Sequence, residues 1–362
     1  MFEPVEEKRL ARIAVVGVGG AGNNAINHMI EAKLTDVEFF AVNTDLQALS
    51  MNHAANKIQI GAQITGGLGS GGNPDLGRKA CEESLDVIKD ILTGYDLVFL
   101  TCGEGGGTGT GATPLIAETA KNQGALVIAV VTKPFEFEGE KRMLQALRGI
   151  NELKNKVDTL IVIPNQKLLN AFPDIPCYEA FRLADEVLLN AVQGVSDLIT
   201  KPGIINIDFA DVRNVMLEPG RTLITSGIAS GEGRATNAAR QALSSPLIEE
   251  FSIETATKIL LNITGDNSLT VQEVNEIASI VKKATNGNAD IRFGINKDSS
   301  LKNSLRVTLI ATGIEEALPS SQEILNSLAH SEITAAPIGS ERKFTVDKSN
   351  LDIPTFIRNQ LD

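Results

Sequence analysis

Tryptophan is absent from this chain, and aromatic residues of all kinds make up only 4% of it. Proteins that grip single-stranded nucleic acid stack bases on such rings, so that class is excluded. Positive charge is also short. The formal net charge is −12, whereas a nucleic-acid groove needs many Lys and Arg to neutralise phosphates. A single nucleotide is still permitted, because backbone amides and Mg²⁺ can do the neutralising. The three cysteines, Cys81, Cys102 and Cys177, lie far apart without CxxC spacing, and there are only three histidines. No zinc site is expected, and reduced, structural cysteines fit the cytoplasm. A run of about 18 apolar residues is missing, as is a signal peptide; the charged segment Met1–Arg9 does not read as a transit peptide.

What is present is glycine, 32 of 362 residues, within a chain that is 43% hydrophobic, enough for two domains with real cores. Strand-like and helix-like segments alternate from the start. Strands are expected at Ile13–Val16, Val37–Val42, Lys57–Ile60, Asp96–Thr101, Ala125–Thr132 and Thr159–Ile163, with helices at Asn24–Glu31, Arg78–Ile91 and Pro114–Lys121. This rhythm implies an α/β fold, a Rossmann-like parallel sheet covered by helices. A long helix is expected from Tyr178 to Ile199, because Phe181, Ala184, Leu188, Ala191, Val192, Val195 and Leu198 recur at three- and four-residue spacing. A second, smaller α/β region follows, with strands at Thr222–Ser226, Lys258–Ile263, Ala289–Ile295 and Arg306–Ala311. Residues 317–350 lack periodicity and read as a flexible linker, and 351–358 turn apolar again, as a docking peptide does.

Residues 103–111 hold six glycines and two threonines in nine positions, between an apolar strand and a helix-capable segment. Backbone N–H groups can crowd around an anion there, and the following helix adds its own unpaired N–H groups. Two further glycine-rich loops follow strands, at Gly17–Gly22 and Gly66–Asn73. Three such loops suggest a nucleotide whose phosphates are held from several sides. The first loop matches GxGxxG and admits a nicotinamide-dependent oxidoreductase as a rival reading. That rival expects an acid at the tip of the second strand, where Asn43 stands instead, and it leaves the other two loops unexplained.

These residues resemble the tubulin/FtsZ family. Gly105–Gly111 is similar to the family signature GGGTGTG, Ile13–Asn24 to its first glycine loop, Ala41–Leu49 to its second, and Gly69–Lys79 to its third. Thr132–Met143, Ile163–Asn165, Phe181–Asp185 and Gly203–Asp211 resemble later family segments, in the family's order, and Leu351–Arg358 resembles its C-terminal partner-binding peptide. The resemblance implies a GTPase that polymerises head to tail into protofilaments and builds the bacterial division ring. It implies a GTP-binding domain at 1–177, a central helix at 178–200, a C-terminal α/β domain at 201–316, a linker at 317–350 and a tail peptide at 351–362. GTP or GDP is the implied ligand, with Mg²⁺ held mainly by phosphates and water. Other implied partners are tethering and regulatory proteins at Leu351–Arg358. The membrane is reached only indirectly, and the implied location is cytoplasmic, at mid-cell.

Site residues follow from the same resemblance. Gly19, Gly20, Gly22, Asn24 and Asn43 would approach the diphosphate and its surroundings. Gly103, Gly105, Gly106, Gly107, Thr108, Gly109, Thr110 and Gly111 would wrap the phosphates, with Gly71 and Gly72 near the γ-phosphate. Pro134, Glu138 and Arg142 would lie near ribose and phosphates. Asn165 and Asp185 would select guanine, with Phe181 against the base. Asp208 and Asp211, with Asn206, would reach the next subunit's nucleotide and position the attacking water, which is catalysis by placement and field. Taken without the resemblance, Glu138 and Arg142 are a helix-surface ion pair, Phe181 is a core residue, and 206–211 is a turn and helix N-cap. Two positions depart from the family pattern: Glu104 stands where Met is usual, and Asn23 replaces a common glycine. A related alternative is a filament protein that binds nucleotide without hydrolysing it.

Overall fold

The computed structural model describes residues 11–171, 174–201, 203–218, 220–244 and 253–314. The linker and tail peptide read from the sequence lie outside these residues. Among the described residues, eleven strands form two sheets. The first has the order β3-β2-β1-β4-β5-β6, with β1 Ile13–Val18, β2 Glu38–Asn43, β3 Asn56–Gln59, β4 Leu97–Gly103, β5 Leu126–Lys133 and β6 Thr159–Pro164. Every neighbouring pair in it is parallel. Helices joining these strands are α1 (Gly19–Glu31), α2 (Leu46–Ser50), α3 (Ala62–Thr65), α4 (Pro74–Glu83), α5 (Leu85–Leu92), α6 (Thr108–Asn122), α7 (Glu140–Lys154) and α8 (Asn165–Ala171).

The central strands read as unbroken apolar runs because both of their faces are covered. Ile13 and Val15 of β1 face one core, and Ala14, Val16 and Val18 face the other. Leu126, Ile128 and Val130 of β5 alternate with Val127, Ala129 and Val131 in the same way. Register then levels the strand ends. Val18 pairs with both Val42 and Cys102, and Gly103 pairs with Thr132. The segments after β1, β2, β4 and β5 therefore leave the sheet side by side. Strand order reverses between β1 and β4, and such a reversal opens a crevice at the C-terminal edge.

Helix α9 (Cys177–Thr200) runs along this sheet and ends beside the second one. Its Leu188, Val192, Val195 and Leu198 share one core with Ile128 and Val130 of the first sheet and with Ile224, Leu261 and Leu309 of the second. Each such burial contributes about 1.5–3 kcal/mol, so the long helix is clamped along its length. After it come β7 (Gly203–Ile205), α10 (Phe209–Met216), β8 (Arg221–Ser230), α11 (Arg234–Leu243), β9 (Lys258–Gly265), α12 (Val271–Ala284), β10 (Asp290–Lys297) and β11 (Ser304–Ile314). The second sheet has the order β7-β10-β9-β11-β8 and is mixed: only β9 and β10 run parallel.

Three elements differ from the sequence reading. The helix expected over Arg78–Ile91 is two helices, α4 and α5, broken at Ser84, whose hydroxyl accepts the Gly61 N–H at 3.0 Å. Helix α1 starts at Gly19 rather than Asn24, because a residue as small as Gly22 lets its first turn press on the Thr101 carbonyl of β4. Helix α6 starts at Thr108 rather than Pro114, so the second half of the glycine run is the first turn of a helix.

Candidate functional site

The crevice above β1 and β4 is a cavity of about 630 Å³. Gly20, Asn43, Gly71, Gly72, Gly103, Gly105, Gly106, Gly107, Thr108 and Gly109 line it, together with Glu138 and Arg142. Gly107 shows why glycine is required. A Cβ there would collide with the Ser70 hydroxyl and stand 2.7 Å from the Asn73 backbone nitrogen, so any larger residue separates the two loops. Gly105 has φ +93°, a left-handed conformation, and a Cβ on it would lie 2.6 Å from the Arg142 carbonyl. The first turn of α6 points its unpaired N–H groups into this space, where an anion is favoured.

Buried hydroxyls and amides hold the loops together. The Thr108 hydroxyl meets that of Thr44 at 2.6 Å and that of Ser70 at 3.0 Å. Asn23 donates to the Gly17 carbonyl at 2.9 Å, and Asn43 donates to Asn23 Oδ1 at 2.8 Å. Asn23, one of the two departures from the family pattern, is thus the amide that ties β1 to β2. Thr44 and Ser70 were not singled out in the sequence, although both sit inside motifs that were. A hydroxyl gives no periodic signal, and its partners are 64 and 38 residues away.

A second cavity of about 110 Å³ adjoins the first and is lined by Asn24, Pro134, Glu138, Arg142, Asn165, Phe181 and Asp185. Glu138 and Arg142, four apart, pair at 3.2 Å. The Asp185 carboxyl is pushed up to about 7 by burial alone, and the Asn165 side-chain oxygen is buried without a partner. Both are acceptors waiting for donors. Phe181 is 43% exposed, which fits a ring at a cavity mouth better than a core residue. It meets Phe135 edge-on at 5.1 Å and Phe137 at 6.5 Å between ring centroids. That aromatic cluster could have been found in the spacing Phe135-Glu136-Phe137 close after β5. A wider hollow of about 650 Å³ opens from Asn24, Phe181 and Asp185 between α1 and α9.

Four of the expected nucleotide-binding residues do not line either cavity. Gly19 packs on Gly109, Gly22 on Thr101, and Gly111 on Pro74, while the Thr110 hydroxyl accepts the Gly105 N–H at 2.8 Å. They set loop spacing from behind. Asn206, Asp208 and Asp211 are nowhere near the cradle. The Asn206 side chain accepts the Gly203 N–H at 2.6 Å, and Asp208 caps α10 by accepting the Asp211 N–H at 2.8 Å. Arg292 of β10 lies 3.8 Å from Asp211. From Asp185 to the end of α9 at Thr200 is fifteen residues, or roughly 22 Å of helix. The segment that carries the acids follows the far end of this helix, where Ile207 packs on Gly294 together with Leu198.

Glu104 is also behind the cradle. Its N–H donates to the Thr132 carbonyl at 2.9 Å. Its side chain is 2% exposed, and one carboxyl oxygen has no partner.

With this geometry in view, the comparisons with known proteins fall into place. The model of the Tubulin/FtsZ family GTPase domain matches residues 12–173, and that of the FtsZ family C-terminal domain matches 220–315. The chain is 45% identical to "Cell division protein FtsZ" of Buchnera aphidicola subsp. Acyrthosiphon pisum over 384 aligned residues, covering 100% of both chains. It is 44% identical to the protein of the same name from Wigglesworthia glossinidia brevipalpis, again over 100% of both. Among solved structures it resembles the empty FtsZ dimer of M. jannaschii with a TM-score of 0.79 and 44% identity, covering 86% of this chain and 94% of that one.

Proposed function

The chain belongs to the tubulin/FtsZ family of GTPases, and from that premise we propose how its residues divide the work of binding and hydrolysing GTP. It is a cell-division GTPase that polymerises head to tail into protofilaments. The glycine cradle holds the phosphates, Asn165 and Asp185 read guanine, and Phe181 packs on the base. Asp208 and Asp211, assisted by Asn206, act on the nucleotide of the neighbouring subunit. One observation carries this division. Roughly 22 Å of helix α9 separates the base end of the site from the segment that carries the acids, which keeps them from the nucleotide of their own chain. A head-to-tail contact brings the two ends together, and because such a contact does not close on itself, a filament results.

Mg²⁺ is proposed to be held by phosphate oxygens and water; among the described residues no group of three or more His, Cys, Asp or Glu stands ready to hold a metal. When bound, it supplies charge neutralisation of the phosphates. Among the described residues, no helix is long and apolar enough to cross a membrane. We place the protein on the cytoplasmic side at mid-cell, tethered through Leu351–Arg358.

Phosphate release measured against protein concentration tests the shared site. Phosphate release is expected to be near zero below a threshold concentration and to rise linearly with protein concentration above it. A turnover per subunit that does not change on dilution refutes the reading. Filaments that form without phosphate release favour the non-hydrolysing alternative. For the tail, deleting residues 351–362 is expected to leave GTP-dependent light scattering unchanged while abolishing co-sedimentation of a division-ring tether. Undiminished co-sedimentation rules that role out.

A further inference from the structure

We propose that Glu104 is coupled to the nucleotide site: its carboxyl carries a proton when the phosphate cradle is occupied, so nucleotide binding draws a proton onto it. The proposal rests on the cradle being the phosphate site.

The geometry is that of a carboxyl with nowhere to put a negative charge. Glu104 leaves β4 at the start of the glycine run, and its backbone is pinned by the hydrogen bond to Thr132 of β5. The side chain therefore turns inward, between β4, α6 and α7. It fills the space that Gly149 of α7 leaves open; a Cβ on Gly149 would collide with the carboxyl oxygen Oε2 and with the Thr110 methyl group. Oε2 has no hydrogen-bond partner, Oε1 receives the Cys102 thiol at 3.5 Å, and the Thr110 hydroxyl beside the carboxyl only partly offsets its burial. A buried carboxylate oxygen left unpaired is costly, whereas a neutral acid tolerates the same place.

The charged and titratable surroundings do not relieve it. From β4 comes the Cys102 thiol, itself pushed well up by burial. From α7 comes Glu152, which repels the carboxylate and already pairs with Arg78 at 2.6 Å. Arg142 of α7 is engaged by Glu138 at 3.2 Å. Glu138, Arg142 and Asp185 line the adjoining cavity, to whose wall Glu104 also contributes. β5 presents Thr132 and α6 presents Thr110. Burial is the main reason the Glu104 carboxyl is pushed up to about 7.

Thr110 connects this carboxyl to the ligand. Its hydroxyl accepts the Gly105 N–H at 2.8 Å and stands beside the Glu104 carboxyl. Gly105 lines the phosphate cavity. An ionised Glu104 adds a negative charge beneath the phosphates. A protonated Glu104 does not. Bound phosphates in turn favour the protonated form, so binding and protonation reinforce each other.

The test is titration calorimetry of GDP into the full chain and into Glu104→Gln, in two buffers of different ionisation enthalpy, at pH 6, 7 and 8. Other groups that titrate on binding, the nucleotide phosphates and Asp185 among them, are common to both proteins. The difference between the two proteins therefore isolates Glu104. The wild type is expected to take up more protons than Glu104→Gln at pH 7. The two affinities are expected to agree at pH 6, with Glu104→Gln about fivefold tighter at pH 8, which corresponds to a bound-state rise of about one pKa unit. Glu104→Met, apolar and of similar length, gives the same comparison if the glutamine variant does not fold. Equal proton counts and parallel pH profiles overturn the proposal. Absence of GDP binding in both proteins at every pH overturns the phosphate-site reading and the proposal with it.

Discussion

Replacing Asp211 with alanine is expected to lower GTP turnover by about 10²–10⁴-fold, the usual loss when a group that orients or deprotonates a nucleophile is removed, while GTP still binds. Asp211 sits in the first turn of α10, its N–H held by the Asp208 side chain and its carboxylate 3.8 Å from Arg292. Nothing in that setting supports the cradle, so nucleotide affinity has no reason to change. The measurement is phosphate release alongside nucleotide binding by equilibrium dialysis. Because the acid is proposed to act on a neighbour, mixing gives a sharper test. Asp211→Ala subunits keep an intact cradle, and Asp185→Asn subunits keep intact acids. At junctions where GTP held by the former faces the acids of the latter, hydrolysis returns. Full turnover by Asp211→Ala alone, or a mixture as silent as its components, defeats the shared-site assignment.

Asp185→Asn is expected to weaken GTP binding by about 10²-fold and to turn the preference toward xanthosine triphosphate. A carboxylate accepts from both guanine N1–H and the 2-amino group. An amide offers one acceptor and one donor, which suits N1–H and the 2-oxo group of xanthine instead. Losing a charge-assisted hydrogen bond and confronting two donors costs about 3 kcal/mol, or roughly two decades. The competition of the two nucleotides for the same protein checks it, and unchanged GTP preference in the variant discards Asp185 as the base reader. Acid has a related effect on the wild type. Burial raises the Asp185 carboxyl to about 7, and only its ionised form accepts both donors. Guanine recognition therefore weakens as pH falls from 8 to 6. The sign is opposite to that expected for Glu104, whose protonated form is the competent one, so each dependence is clearest when the other acid has been made neutral.

Both acids also bear on folding. Their values lie above the usual carboxylate range in the folded protein. Folding therefore favours their protonated forms, and their contribution to stability declines as pH rises from the unfolded carboxylate range toward 7.

Much of the architecture was legible in local pattern. The apolar runs at β1, β4 and β5 and the three-to-four spacing of α9 carry their own period, and a buried strand or amphipathic helix needs little else. The second sheet was less legible. Its strands could be counted, but whether β11 lies antiparallel between β9 and β8 depends on pairings 40 to 93 residues apart in the chain. Ser84 looked like one more residue in a helix until Gly61, 23 positions earlier, claimed its hydroxyl. In the site, the glycine loops announced a phosphate. Composition could not separate glycines that open onto the cavity, such as Gly20 and Gly106, from Gly19, Gly22 and Gly111, which are small because a neighbouring backbone passes close behind them.

The sequence by itself determined where chain reversals and anion-facing backbone could occur, because glycine, capping residues and hydrophobic period act over a few residues. It also determined which side chains were available to read a base or orient a water. Tertiary structure alone decided who meets whom. The parallel register of β1, β2, β4 and β5 levels four loops at one edge, and a straight helix of 24 residues carries Asp208 and Asp211 away from them. Gly149, forty-five positions after Glu104, leaves the niche that its carboxyl fills. Burial, distance and field arise from contacts between segments far apart in the chain, and those contacts exist only once the chain has folded.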